Sequence, residues 1–178
     1  MKANEKKNLS QSSRIKVERF QQPQAEDVAK LIHRNIIVIH NQDYPKDFIE
    51  NLLESFKAEK LIEKSKEQHI FVATLGDEII GTAGLANFGT AEQPAYYAVA
   101  VFVMTEYHRL GIGSLLMDAV EEKAWQLNAE RITVRSAVNA KGFYQRLGYD
   151  FVGGLEKPND LGQYLMEKFR NKGSKNNG

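Results

Sequence analysis

The sequence contains no cysteine. That absence excludes disulfides, thiolate metal sites and a cysteine nucleophile, so any group transfer has to proceed without a covalent thioester on the protein. The four histidines, His33, His40, His69 and His108, show no ligand spacing such as His-Glu-x-x-His, and no metal is expected. No apolar run reaches the ~18 residues that span a bilayer, and Met1 to Ser13 is polar without a signal-peptide core. A cytoplasmic protein without membrane attachment is expected. An excess of charge of one sign is lacking too: 24 basic residues face 23 acidic ones, for a formal net charge of +1. No overall field draws the chain to nucleic acid or to an anionic membrane, although local basic sites remain open.

What is present fits one globular domain. The chain has 178 residues, of which 42% are hydrophobic and 26% charged, enough apolar surface for a core and too short for two. Residues 1–13 and 171–178 are polar and read as tails, leaving 14–170 as the folded unit. Ile15 and Val17 alternate as a first strand. Past Pro23, Val28, Leu31, Ile32, Asn35, Ile36 and Ile39 recur at helical spacing. The polar Asn41 to Asp43 then leads to a second helix from about Pro45, with Phe48, Leu52, Leu53 and Phe56 on one face.

His69 to Leu75 and Ile79 to Leu85 flank Gly76-Asp77-Glu78 as a hairpin. Ala95 to Met104 is a continuous apolar run, expected as a central strand. Ile112, Leu115, Leu116, Ala119, Val120 and Leu127 form a helical stripe, with Glu121, Glu122 and Lys123 mostly opposite. Arg131 to Ser136 reads as a strand. Ala140, Phe143, Tyr144 and Leu147 read as a short helix stopped by Gly148, and Tyr149 to Val152 and Tyr164 to Phe169 as two closing strands. Hairpins mixed with crossovers imply an α+β fold with a mixed sheet.

The most informative stretch runs from Val101 through His108-Arg109-Leu110-Gly111-Ile112-Gly113-Ser114. Glycines at a helix start let a ligand approach the backbone, and the first helical turn offers unpaired N–H groups with roughly half a positive charge. Such a turn suits an anion, and Arg109 can add a charge-assisted hydrogen bond to a pyrophosphate. The lysine of an ATP-binding phosphate loop is missing after Gly113, and Leu116 stands where a dinucleotide fold has its third glycine.

With these residues the sequence resembles the GNAT superfamily of N-acetyltransferases. The glycine turn resembles the family pattern of Arg or Gln, two residues, Gly, one residue, then Gly or Ala, with His108 in the first place and Thr105 where proline is frequent. Asn139-Ala140-Lys141-Gly142-Phe143-Tyr144-Gln145-Arg146-Leu147-Gly148-Tyr149 resembles the Ala-x-x-Phe-Tyr-x-x-x-Gly-Phe segment. The resemblance spans most of Ile15 to Phe169 in element order. It implies a mixed, mostly antiparallel central sheet flanked by helices, acetyl-CoA as co-substrate, and transfer to a primary amine within a ternary complex.

The resemblance further implies that Val101, Phe102 and Val103 pair with the pantetheine amides of the coenzyme through strand-like hydrogen bonds. His108, Arg109, Leu110, Gly111, Ile112, Gly113 and Ser114 would cradle its pyrophosphate. Tyr144 would protonate the departing thiolate. Asn139 has two readings, a pantetheine contact or a helix cap, and Arg146 likewise contacts phosphate or faces solvent. An amine of pKa ~10.4 is only roughly 0.1% or less neutral at pH 7, so a base or water chain is required. Tyr96, Tyr97, Glu92, Glu106 and His69 are the candidates.

The family's acceptors include small amines, antibiotics, peptide N-termini and lysines. The region from Ile36 to Ser65 would shape the acceptor pocket, where Asp43, Tyr44, Asp47 and Glu50 permit a cationic amine. A monomer or homodimer is expected. Two other functions fit the same residues, an acyl-CoA-binding sensor without turnover and a nucleotide-binding interaction module.

Overall fold

The computed structural model describes residues 14–40 and 44–171. The readings of residues 1–13, 41–43 and 172–178 lie outside the described residues. The strands form one seven-stranded sheet in the order β1-β2-β3-β4-β5-β7-β6. They are β1 (Ile15–Arg19), β2 (His69–Leu75), β3 (Glu78–Asn87), β4 (Tyr96–Val103), β5 (Arg131–Ser136), β6 (Asp150–Phe151) and β7 (Tyr164–Phe169). Every neighbouring pair is antiparallel except β4 and β5, which are parallel. This is the expected mixed, mostly antiparallel α+β architecture, with the long apolar run as its middle strand.

Helices cover both faces. On one lie α1 (Ala25–Asn35), α2 (Lys46–Ser55) and α3 (Ala58–Lys64); on the other lie α4 (Ile112–Gln126) and α5 (Lys141–Arg146). Acidic Glu26 and Asp27 open α1 and basic His33 and Arg34 close it, both favourable to its dipole. Immediately beyond, Ile36–His40 continues as a wider π-type turn rather than as ordinary helix.

Two expectations differ from the structure here. The second predicted helix is followed by a separate one, because Phe56 and Lys57 leave helical geometry and Lys57 becomes the extended residue before α3. Glu121, expected on the solvent side of α4, is buried, and its carboxylate accepts from Lys168 Nζ at 2.6 Å. An ion pair with a β7 residue holds a charge there that would otherwise stay in water.

Two apolar cores sandwich the sheet. Leu116, Met117, Val120 and Ala124 of α4 meet Ile80, Ala83, Ile132 and Val134, while Val28, Leu31 and Ile32 of α1 meet Ile70 and Val72. Each fully buried large aliphatic side chain stabilises by about 1.5–3 kcal/mol. That anchorage outweighs the roughly 1–2 kcal/mol of holding a non-glycine residue left-handed, as Arg109 is at φ 66° just before α4.

Candidate active site

β4 and β5 start as neighbours and then part. Their pairing covers only Tyr97 with Thr133 and Ala98 with Val134. Just beyond, the register of β4 against β3 slips by one residue, from Val99 opposite Gly84 to Phe102 opposite Thr82, and Ala100 adopts φ 51°. Such a bulge bends its strand and strengthens the local twist. From Val99 onward β4 therefore turns an edge free of β5 toward the gap.

A cleft of about 1040 Å³ occupies this gap and is lined from both faces of the sheet. At one end are the start of α4 and, from α5, Phe143, Tyr144 and Arg146; at the other are Asn35, Tyr44, Phe48, Leu52 and Phe56 of the α1–α2 side. Val101 and Val103 pack toward the α4 core and Phe102 toward the α1 core, so β4 forms the wall common to both ends.

The glycine turn forms the α4 end of the cleft. Arg109 and Gly111 are both left-handed, at φ 66° and 78°, and no side chain caps α4 at Gly111. The first intrahelical bond there is from Leu115 N–H to Gly111 O at 3.1 Å, which leaves the N–H groups of Ile112, Gly113 and Ser114 without helical partners. A Cβ on Gly111 would meet nothing within 4 Å, so its open side is available to a ligand. These donors, with Arg109, suit a pyrophosphate. The His108 Nε2–H donates to Val103 O at 3.0 Å, so the imidazole ties the turn back to β4.

Of the coenzyme residues expected from the sequence, Val101, Phe102, Val103, His108, Arg109, Gly111, Ile112, Gly113, Ser114, Asn139 and Arg146 all line the cleft, as does Tyr144. Leu110 does not; its side chain packs on the core and anchors the turn from below. No side chain caps α5, and Asn139 sits in the short turn before it, facing the cleft. Tyr144 is buried, 6% exposed, between the rings of Phe143 and Tyr149. Burial pushes its phenol well above the ordinary tyrosine value, which keeps it a proton donor at neutral pH.

The base candidates separate. Tyr97 lines the cleft, with Phe88 at 5.3 Å and the Arg135 guanidinium 5.2 Å over its ring. Tyr96 packs on the core. Glu106 is engaged by Arg34 and Thr105, His69 by Arg19, and neither they nor Glu92 line the cleft. Of the acceptor candidates Tyr44 lines it, whereas Glu50 pairs with Lys46 at 3.6 Å and Asp47 is exposed outside it. Asp43 is outside the described residues.

Two features had no counterpart in the sequence reading. The bulge at Ala100 has no glycine or proline to mark it. Asn35, on the cleft wall and 2% exposed, donates from Nδ2 to Leu31 O at 2.9 Å but leaves its Oδ1 without a partner. A buried acceptor left unpaired costs about 1–3 kcal/mol. Among the described residues no group of three or more metal-ligating side chains is present, and no helix is long and apolar enough to cross a membrane.

Comparison with known proteins places this geometry. No curated protein sequence matches the chain. Its fold is that of many solved structures. The PaiA N-acetyltransferase of Thermoplasma acidophilum, in complex with coenzyme A, has a TM-score of 0.73 at 16% identity, covering 88% of this chain and 99% of that one. A GNAT-family acetyltransferase from Staphylococcus aureus Mu50 gives 0.65 at 20%, covering 87% and 98%. An aminoglycoside 6′-acetyltransferase type Ii gives 0.66 at 17%, covering 86% and 96%. The family model for the acetyltransferase (GNAT) domain matches residues 21–172, and the chain belongs to that family.

Proposed function

We propose that the protein is an N-acetyltransferase that moves acetyl from acetyl-CoA to a primary amine by direct attack in a ternary complex. One observation carries the reading: a single cleft joins the turn at α4, proposed to bind an anion, to an aromatic pocket on the opposite face of the sheet, with Tyr144 on its wall. Family membership and the coenzyme A complex of a protein with the same fold support it.

Acetyl-CoA supplies an activated thioester. The α4 N–H groups and Arg109 hold its pyrophosphate, and the unpaired edge of β4 from Val99 to Val103 takes the pantetheine amides as a neighbouring strand would. The amine nitrogen bonds to the carbonyl carbon as the carbon–sulfur bond breaks, and the Tyr144 hydroxyl passes its proton to the departing sulfur. Of the two protons that the ammonium form of the amine gives up, one leaves through the Tyr97 side of the cleft to water and the other restores the Tyr144 hydroxyl. With no cysteine in the chain, the scheme contains no acetyl thioester on the protein.

A thermal-shift panel of acetyl-CoA, NAD and ATP, followed by thiol release across an amine library, tests this. Stabilisation by acetyl-CoA with amine-dependent thiol release is expected. Stabilisation without release from any amine points to a sensor, and preference for NAD or ATP to a nucleotide-binding module.

A further inference from the structure

The acceptor end of the cleft has a distinct chemistry. Its walls are the stacked Tyr44 and Phe48, 5.1 Å apart, Leu52, and the edge-to-face pair Phe56 and Phe102, at 6.1 Å. No aspartate or glutamate is among the described residues lining any part of the cleft, whose charged side chains are all basic. A polycationic amine would lose water there without gaining a counter-charge from any of the described lining residues. In this apolar wall lies the buried, unpartnered Asn35 Oδ1.

The orientation of that amide is fixed, because the Leu31 carbonyl can only accept and so holds the Nδ2 end. Oδ1 is left as an acceptor in need of an N–H. The backbone widens into the π-type turn at the next residue, Ile36, a feature frequent at functional sites. We infer that Asn35 is a specificity-determining residue whose Oδ1 accepts a hydrogen bond from the acceptor's amine, and that the acceptor is a primary amine on an aromatic or alkyl body rather than a polyamine or an aminoglycoside. The inference rests on the acetyl-transfer reading above.

Initial rates of thiol release from acetyl-CoA, with 2-phenylethylamine, hexylamine, spermidine and kanamycin as acceptors, test it. The two apolar amines should exceed spermidine and kanamycin in kcat/KM by roughly ten-fold or more. Asn35→Leu should raise KM for 2-phenylethylamine about ten-fold, the scale of one lost hydrogen bond at a buried site, with the acetyl-CoA KM unchanged and Tm not lowered. Phe48→Glu should shift the preference toward spermidine. Preference of the wild-type protein for spermidine or kanamycin would overturn the inference and leave the transferase reading standing. So would an Asn35→Leu variant with lowered Tm and unchanged amine KM, which would make the residue a helix-end support. Acetyl-CoA binding without thiol release from any amine would instead remove the transferase reading, and this inference with it.

Discussion

A Cβ placed on Gly113 would lie 3.0 Å from Cζ of Phe143 and 3.1 Å from its Cε2. The first turn of α4 and the ring that begins the wall of α5 are therefore in contact through the missing side chain. Phe143 in turn packs on Tyr144 with ring centroids 5.0 Å apart. The start of α4 and the Tyr144 ring are therefore mechanically joined through Phe143.

Gly113→Ala should push the Phe143 ring aside and weaken acetyl-CoA binding about ten-fold by calorimetry. Phe143→Leu in the same chain should recover part of the loss. Gly113→Glu should abolish binding, because a carboxylate would fill and repel the phosphate site. A folded glutamate variant with wild-type affinity would rule out the proposed anion site.

Gly111 is constrained by conformation, since its φ of 78° is left-handed while the space around it is open. Gly111→Ala should lose roughly 1–2 kcal/mol in denaturant unfolding, and Gly111→Asn less, as asparagine tolerates that region better. Equal stability of all three chains would refute the assignment of strain.

Tyr144→Phe removes one hydroxyl and keeps the packing between Phe143 and Tyr149. The fold and most acetyl-CoA affinity should persist, while the chemical step slows by ~10²-fold to 10⁴-fold in single-turnover experiments. Because burial raises the phenol's pKa, the wild-type rate should show no loss from Tyr144 ionisation between neutrality and the ordinary tyrosine value of ~10. An unchanged rate in the variant would leave Tyr144 as a packing residue.

His69 accepts at Nδ1 from the Arg19 guanidinium, which can only donate, so the contact requires an unprotonated Nδ1. Burial, then the charges of Arg19 and Lys123, lower its pKa. A histidine depressed in the folded state binds fewer protons than when unfolded, so its contribution is full above the ordinary value of ~6.5 and is lost as pH falls below it. Over that descent the Tm of the wild-type protein should drop more than that of His69→Gln, whose amide oxygen still accepts from Arg19. Parallel curves would exclude the linkage.

Most strands and the α4 stripe were legible because periodicity records which face is buried: Ile132 and Val134 on β5, or Ile112 and Leu116 on α4, point inward as their spacing requires. The glycine turn before α4 was legible because a left-handed Gly111 and a Gly113 packed against Phe143 both need positions without a side chain. The break between α2 and α3 was not, since Phe56 and Lys57 are residues a helix interior accepts. The bulge at Ala100 was hidden for a related reason: it depends on pairing with β3, a long-range partner. Asn35 reads as one polar position in an apolar stripe, and its orphaned oxygen exists only once α1 is docked against β4.

The parting of β4 from β5 gives the cleft walls on both faces of the sheet. On the proposed reading, coenzyme and amine therefore approach one another from opposite sides of β4 and occupy the cleft together. Double-reciprocal plots at varied amine and acetyl-CoA should intersect rather than run parallel. A single molecule joining coenzyme A to an amine through a short acetyl tether would fill both ends of the cleft at once and bind more tightly than either half alone.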